Sequence, residues 1–181
     1  MQGSKNKPPG LVPAKMKFMG HDMKYKKQFD GVPLNPIKDA ATKLFKKGAM
    51  DAQRVLTAMN LDNNDKLEEV SRQFSVKMWH TDEDVTDSGV LREAAVIAGL
   101  TEAEFDTYWS SIKTAEVKGE LGKVTKEALE LGCFGAPWFL VDDGEKKHSI
   151  FGSDRMELIC NLCDEEYKGT LKEHSKLKHL Y

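Results

Sequence analysis

The apolar run at residues 138–141 constrains the fold of this chain more than any other stretch. Its apolar side chains are not interrupted by polar ones, so a strand formed here needs cover on both faces and neighbours at its edges. Asp143 and Gly144 predict a turn, and residues 149–151 predict a second, antiparallel strand. An isolated hairpin is only marginally stable in water. Because no other stretch has clear strand character, we expect either helices on both faces or partner strands that this chain does not supply.

Most of the remaining chain has the periodicity of amphipathic helices. We predict a short helix near residues 14–21 and a continuous run of helices from Asn35 to Gly132. Asn35 is predicted to cap the first helix of that run, with Pro36 at its first position. Thr101 and Glu104 have the spacing of a capping box. A last helix is predicted after residue 154. Three helices of the run are predicted to end at a glycine: Gly48, Gly99 and Gly132.

The composition argues against several classes of protein. With 181 residues and 40% hydrophobic residues, the chain can bury the core of one ordinary domain, with or without an insertion. The net charge of −2 argues against a nucleic-acid partner, and no apolar stretch is long enough for a membrane span. Three cysteines, an odd number, indicate a reducing, intracellular compartment. The first residues show neither a signal peptide nor a transit peptide.

The cysteines are the first candidates for chemistry. Cys160 and Cys163 have C-x-x-C spacing, but they fall inside the last predicted helix, on or near its apolar face. A reactive pair of the thioredoxin type instead opens a helix, where the helix N-terminus lowers the pKa of the thiol. We therefore interpret this pair as buried and structural. For Cys133 we favour a structural role over a reactive one, because the sequence places no base beside it.

A second candidate is the bond between Ala136 and Pro137, at the start of the predicted strand. Proline lacks an amide donor, which suits the first position of a strand. A cis bond would turn the backbone of Ala136 outward, so that its N–H and C=O could pair with a peptide ligand. Many strands also begin after a proline in a trans bond, and both interpretations stay open.

The third candidate is the pair Ser153 and Asp154 at the start of the last predicted helix. Free amides at a helix start attract a carboxylate, and the Asp154 side chain can hold an ammonium group. Together they suit the amino-acid end of a small zwitterion. The alternative is that one of the two residues only caps the helix.

Several motifs, in order and at nearly constant spacing, resemble the kappa-class glutathione transferases. They lie at residues 6–11, 56–61, 83–86, 134–137 and, most specifically, 151–158. Relatives of that class include glutathione-dependent 2-hydroxychromene-2-carboxylate isomerases and DsbA-type oxidoreductases. The resemblance implies an α/β fold: a thioredoxin-like (DsbA-like) domain from residues 1–35 and 120–181, with residues 36–119 inserted as an all-helical domain.

The same resemblance implies an activity and a site. The activity is conjugation of the glutathione thiolate to small-molecule electrophiles, or reduction of peroxides, with glutathione as substrate. It also implies a homodimer located in mitochondria or peroxisomes, and neither a metal, a membrane nor a nucleic acid is expected. The implied contacts with glutathione are Asn6, Lys15, the backbone of Ala136 before a cis Pro137, Ser153 and Asp154.

One departure from the family pattern is large. Members of the class begin with a strand, a turn bearing the serine that stabilises the thiolate, a helix and a second strand. We expect this chain to lack that N-terminal unit, so no catalytic residue is assigned in it. Two alternatives follow: a non-catalytic, truncated form or fragment that dimerises or binds glutathione, and a glutathione-dependent isomerase.

Overall fold

The computed structural model describes residues 6–7, 9–29, 32, 34–40, 42–43 and 47–169. In this part of the chain, short 3₁₀ turns lie at Pro9–Leu11 and Ser153–Arg155. The described elements also include seven α-helices and two β-strands. In chain order they are α1 (Pro13–Phe29), α2 (Met50–Leu61), α3 (Leu67–Trp79), α4 (Ser88–Ile97), α5 (Glu102–Ser111), α6 (Ala115–Glu130), β1 (Trp138–Asp142), β2 (Lys147–Phe151) and α7 (Met156–Leu162).

The described residues divide into two compact units. One contains the residues up to 32 together with those from 124 onward, and the other contains the residues between them. The second division falls inside α6, so one helix belongs to both units. The boundaries predicted from the sequence lie after residues 35 and 119, and the units divide after residues 32 and 123.

The core of the helical unit is built by the apolar faces of α2 to α5, with Val117 of α6. The side chain of Phe105 is completely buried, and Trp109 stacks on it with ring centroids 6.0 Å apart. Arg92 covers the same ring, with its guanidinium carbon 5.8 Å from the centroid. The predicted apolar faces of these helices are therefore confirmed. The largest fully buried side chains are Val55, Met59, Val70, Leu91 and Phe105.

Helices α4 and α5 begin at residues whose side chains satisfy the free amides of the first turn. The capping box is confirmed: the Glu104 amide donates to Thr101 Oγ1 at 3.2 Å, and the Thr101 amide donates to Glu104 Oε2 at 2.6 Å. At the start of α4, Asp87 accepts from the amide of Gly89 at 2.7 Å. These local bonds explain why the start of α5 was readable in the sequence and why α4 begins directly after Asp87.

The predicted role of Asn35 as a helix cap is wrong. Its amide donates to the carbonyl of Trp79 at 2.7 Å, and its side chain donates to the carbonyl of His80 at 2.6 Å. Asn35 thus satisfies carbonyls at the end of α3, and residues 36–37 are not helical. Three positions of the predicted apolar face, at 41, 44 and 45, lie outside the described residues. Gly48 has a φ of +71, as expected for a residue that ends a helical turn.

Helix α1 is longer than predicted. It runs for 17 residues, whereas the sequence predicted a helix near residues 14–21. Pro13 occupies its first position, where the missing amide is not needed. Residues 22–29 contain no proline and include lysines, methionine and glutamine, which favour helix. Its apolar residues have only weak helical periodicity, so the sequence did not mark its full length. Most of its described side chains are exposed rather than packed on one face.

Strands β1 and β2 form an antiparallel hairpin, with Trp138 opposite Phe151. Asp143 organises the turn: its carboxylate accepts from the amides of residues 145 and 146 and lies 2.6 Å from His148 Nε2. His148 and these amides hold the pKa of the Asp143 carboxyl well below its usual range. The predicted hairpin is confirmed, although β2 begins at Lys147, two residues earlier than expected.

Only one face of the hairpin is buried in the described part of the chain. Val141 and Ile150 lie on that face, and α7 packs against β1. The opposite face presents exposed apolar side chains, including Leu140 and Phe151. We expected either helices on both faces or partner strands that the chain does not supply, and the sheet of the described residues has two strands and one covered face.

Asp84 gives the helical unit a specific sensitivity to acid. Its carboxylate accepts hydrogen bonds from Lys47 Nζ and from the amide and hydroxyl of Thr86. Lys47 first, and then Thr86, lower the pKa of Asp84 from 3.8 to about 2. A carboxyl whose pKa is lower in the folded state stabilises the fold above its unfolded-state pKa, and this contribution is lost as pH falls through the folded pKa.

We therefore expect Asp84→Asn to be less stable than wild type near neutral pH, with the difference shrinking as the pH falls from 3.8 toward 2. Urea unfolding of both proteins across this range measures the difference. Asp65→Asn removes a carboxylate from an exposed position of the same unit and is the matched control. A difference for Asp84→Asn that stays constant across the range would contradict the linkage.

Candidate functional site

Asn6 ties the N-terminal segment to the residues that precede β1. Its side-chain nitrogen donates to the carbonyl of Phe134 at 2.8 Å, across 128 positions of sequence. A Cβ built on Gly135 would lie 3.9 Å from the same nitrogen and 3.1 Å from the ring of Phe151. The segments around residues 6, 135 and 151 therefore meet closely, and glycine at 135 leaves them room.

A second hydrogen bond joins the start of β1 to the end of β2. The amide of Gly152 donates to the carbonyl of Pro137 at 3.1 Å. The peptide bond between Ala136 and Pro137 is cis, as the family resemblance implied. The two site candidates that the sequence placed 16 positions apart, at Ala136 and at the Gly152–Asp154 turn, are thus direct neighbours.

Three aromatic rings support this junction. Phe134 lies 4.6 Å from Phe151 and 5.6 Å from Trp138, measured between ring centroids, and the second contact is edge-on at 79°. Phe134 and Phe151 remain 44% and 42% exposed. The indole nitrogen of Trp138 is buried and has no hydrogen-bond partner among the described residues. Ring packing therefore adds to the two hydrogen bonds that hold the backbone on either side of Ala136 and Pro137.

Gly152 shapes the turn that carries Ser153 and Asp154. Its φ of 104 and ψ of 141 form a conformation that residues with a side chain rarely adopt. A Cβ at this position would lie 2.5 Å from Asp154 Oδ1. Reasoning from the sequence missed this requirement, although a glycine between a strand and a short polar turn is a usable signal for it.

The interpretation of Ser153 or Asp154 as a side-chain cap of the last helix is wrong. A 3₁₀ turn at Ser153–Arg155 precedes α7, and neither it nor α7 has a side-chain hydrogen bond at its cap. The Ser153 residue is exposed, and the carboxylate of Asp154 is 64% exposed. Both polar groups are therefore presented to solvent, where a ligand can reach them.

Two further charged residues bear on this site: Lys15, an implied glutathione contact, and Arg155, the neighbour of Asp154. Lys15 lies on α1 with an exposed side chain, and within the described residues no hydrogen bond or ion pair joins it to the other predicted contacts. Arg155, which the sequence reasoning did not select, has a guanidinium nitrogen 3.8 Å from Asp154 Oδ2. The structure therefore brings together Asn6, the cis bond and the Ser153–Asp154 turn. A contact of Lys15 with the same ligand stays a prediction.

The cysteines differ from the sequence interpretation in one respect. Cys160 is half-buried in α7, as a structural residue would be, but Cys163 is exposed at the end of that helix. The prediction of two buried thiols is therefore wrong for Cys163, which follows the last residue of α7, Leu162, and is exposed. Cys133 is half-buried, and its sulfur contacts the carbonyl of Gly135 at 3.3 Å.

The described residues contain no group of three or more His, Cys, Asp or Glu side chains arranged to hold a metal ion. In the same residues, no helix has the combined length and apolar character that crossing a membrane requires.

Comparison with known proteins gives the family of this chain. The family described as DsbA-like thioredoxin domain matches residues 1–162. Human glutathione S-transferase kappa 1 is 35% identical over 171 residues, which cover 94% of this chain and 76% of the human protein. The chain belongs to the kappa-class glutathione S-transferase family. Glutathione S-transferase kappa 1 of Rattus norvegicus is 36% identical over 93% of this chain and 75% of its own length.

A solved structure has the same fold as this chain. A protein from Nitrosomonas europaea, described as a protein disulfide isomerase, superposes with a TM-score of 0.65. It covers 88% of this chain and 76% of its own length at 21% identity. This likeness concerns the fold alone, which is the α/β, DsbA-like thioredoxin fold that the sequence motifs implied.

Proposed function

We propose that this chain binds glutathione at the junction of Asn6, the cis Ala136–Pro137 bond and the Ser153–Asp154 turn. The observation that carries the proposal is the pair of hydrogen bonds that joins these segments, Asn6 to Phe134 and Gly152 to Pro137. The similarity to proteins named glutathione S-transferase kappa supplies the ligand.

The groups at the junction are complementary to a γ-glutamyl peptide. Glutathione carries an ammonium and a carboxylate at its γ-glutamyl end, and a thiol near its centre. The exposed carboxylate of Asp154 can accept from the ammonium, and the hydroxyl of Ser153 can donate to the carboxylate. The backbone of Ala136 lies beside that turn and is available to the cysteinyl portion, as in pairing with an added strand.

The reaction we propose is transfer of the glutathione thiolate to an electrophile. The thiol loses its proton, the sulfur forms a bond to an electrophilic carbon, and the leaving group departs with the electrons of its bond. With a peroxide, two glutathione molecules are oxidised to the disulfide, and the peroxide is reduced to two water molecules or, for an organic hydroperoxide, to an alcohol and one water molecule. The thiolate is the reactive form, so the proposed rate increases with pH until the thiol is fully ionised.

Replacing Asp154 by asparagine tests the binding site. A hydrogen bond between charged groups contributes about 1.5–3 kcal/mol, so we expect roughly ten- to a hundredfold weaker glutathione binding. Isothermal titration calorimetry with reduced glutathione measures the change. Glu145→Gln removes the same charge from an exposed position in the hairpin turn and should bind like wild type. Equal affinities of Asp154→Asn and wild type would exclude the proposed role of this carboxylate.

Turnover is tested separately from binding. The purified 181-residue chain is incubated with glutathione and a chlorodinitrobenzene. The rate of product formation is compared with that of the same mixture without protein. A rate above the uncatalysed one supports the transferase. Binding without any acceleration would instead favour the non-catalytic alternative, and isomerisation of a hydroxychromene carboxylate would favour the isomerase.

The homodimer and the organelle that the resemblance implies are also proposals. A homodimer is tested by light scattering on the purified chain, and a mitochondrial or peroxisomal location by imaging the protein in its own cells. The exposed apolar face of the hairpin is consistent with association between chains.

A further inference from the structure

The C-x-x-C pair at the end of α7 has no role in the proposed glutathione site. Cys160 lies half-buried in the last turn of α7, and Cys163 is the exposed residue that caps it. Both thiols are free. A half-buried thiol three positions from an exposed one is the arrangement in which the exposed thiolate can attack a disulfide in solvent and the second thiol can then resolve the mixed disulfide.

The backbone brings the two cysteines close together. The amide of Cys163 donates to the carbonyl of Cys160 at 3.1 Å, so the two residues are joined by one tight turn. The Cα atoms of residues three apart in a helical turn are separated by about 5 Å. Disulfides in proteins join Cα atoms roughly 4.4–6.8 Å apart, so this separation permits a bond.

We propose that Cys160 and Cys163 form a redox-active dithiol that glutathione disulfide oxidises reversibly to an intramolecular disulfide. The proposal concerns α7 alone and does not depend on the glutathione site described above. Its oxidant is the disulfide form of the peptide, and its reductant is the thiol form.

The exchange takes place in two steps. The Cys163 thiolate attacks one sulfur of glutathione disulfide, which forms a mixed disulfide and releases one glutathione thiolate. The Cys160 thiolate then attacks the Cys163 sulfur and displaces the second glutathione thiolate. The two protons of the protein thiols pass to the released glutathione. The protein dithiol is oxidised by two electrons, and one glutathione disulfide is reduced to two glutathione molecules.

The position at a helix end makes the disulfide easy to reverse. Cβ atoms three positions apart on a helix are about 5–6 Å apart, whereas a disulfide needs roughly 3.5–4.5 Å. Closing the bond therefore tightens the last turn and disturbs the hydrogen bonds to the Cys160 carbonyl, which also accepts from the amide of Glu165 at 2.9 Å. Strained and exposed disulfides are the ones that thiols reduce readily.

The direct test uses the full-length chain, reduced and then incubated with glutathione disulfide at about pH 8, where thiol exchange is rapid. Intact mass spectrometry and thiol titration follow the product. We expect the loss of two hydrogens, a single remaining free thiol out of three, and full recovery on adding reduced glutathione. Three persistent free thiols, or a stable glutathione adduct as the final product, would overturn the proposal.

Three serine variants separate the roles of the cysteines. Cys160→Ser should accumulate a glutathione adduct on Cys163, because the second thiol is missing. Cys163→Ser should form no intramolecular disulfide and react more slowly, on the order of tenfold, because its remaining α7 thiol is half-buried. Cys133→Ser is the matched control and should be oxidised like wild type. Loss of disulfide formation in Cys133→Ser, or a peptide map that places Cys133 in the bond, would refute the assignment.

Discussion

Gly152→Ala is expected to destabilise the fold and to weaken glutathione binding together. The backbone at this position has a φ of 104, and the strain of a side chain in such a conformation is about 1–3 kcal/mol. The added Cβ would lie 2.5 Å from Asp154 Oδ1, so the carboxylate has to move away from its present position. Since the amide of Gly152 also bonds to Pro137, any backbone adjustment shifts the cis segment as well.

Chemical unfolding and glutathione titration of the same Gly152→Ala preparation measure the two effects. Gly122→Ala is the control, because a Cβ at that position in α6 meets nothing within 4 Å. Alanine in a helix is about 0.8–1 kcal/mol more favourable than glycine, so this variant should be as stable as wild type or more stable. Wild-type stability and affinity in Gly152→Ala would show that the turn does not need a glycine.

Phe105→Ala is expected to give the largest loss of stability in the helical unit. The ring is completely buried, is stacked by Trp109 and is covered by Arg92. Truncating a buried phenylalanine costs about 3–5 kcal/mol, because the transfer free energy is lost and a cavity remains. A single domain is stable by only about 5–15 kcal/mol, so this one substitution removes a large fraction of the total.

The midpoint and slope of urea unfolding, followed by far-ultraviolet circular dichroism, quantify the effect of Phe105→Ala. Val96→Ala, on the neighbouring helix α4 and 42% exposed, is the matched apolar control and should change stability by less than about 0.5 kcal/mol. Comparable losses in the two variants would mean that Phe105 does not anchor the helical core.

The features that the sequence predicted correctly are those that depend on neighbouring residues. The capping box of Thr101 and Glu104 closes over three positions, and the apolar face that includes Phe105 repeats with the helical period. The hairpin follows in the same way from the Asp143 turn between two apolar runs. In each case the information lies within one element, where spacing alone determines which groups meet.

Two of the errors, at Asn35 and Cys163, concern groups whose surroundings depend on the folded chain. Asn35 has the side chain of a helix cap, yet it binds carbonyls at Trp79 and His80, 44 and 45 positions away. A polar side chain binds the partner that the folded chain places beside it, and here these carbonyls replace the amides of a local helix start. Cys163 was expected to be buried from its spacing, but burial depends on where α7 ends and on what packs against it.

The sequence by itself determined the helical run, the hairpin and, through its motifs, the membership of the kappa class. Only the tertiary structure showed that Asn6, the cis bond before β1 and the Gly152–Asp154 turn meet at one place. Residues 138–141 determine a strand, but not what lies beside it. Local preferences are set by the chain within a few residues, whereas a site is set by hydrogen bonds that close across 128 positions.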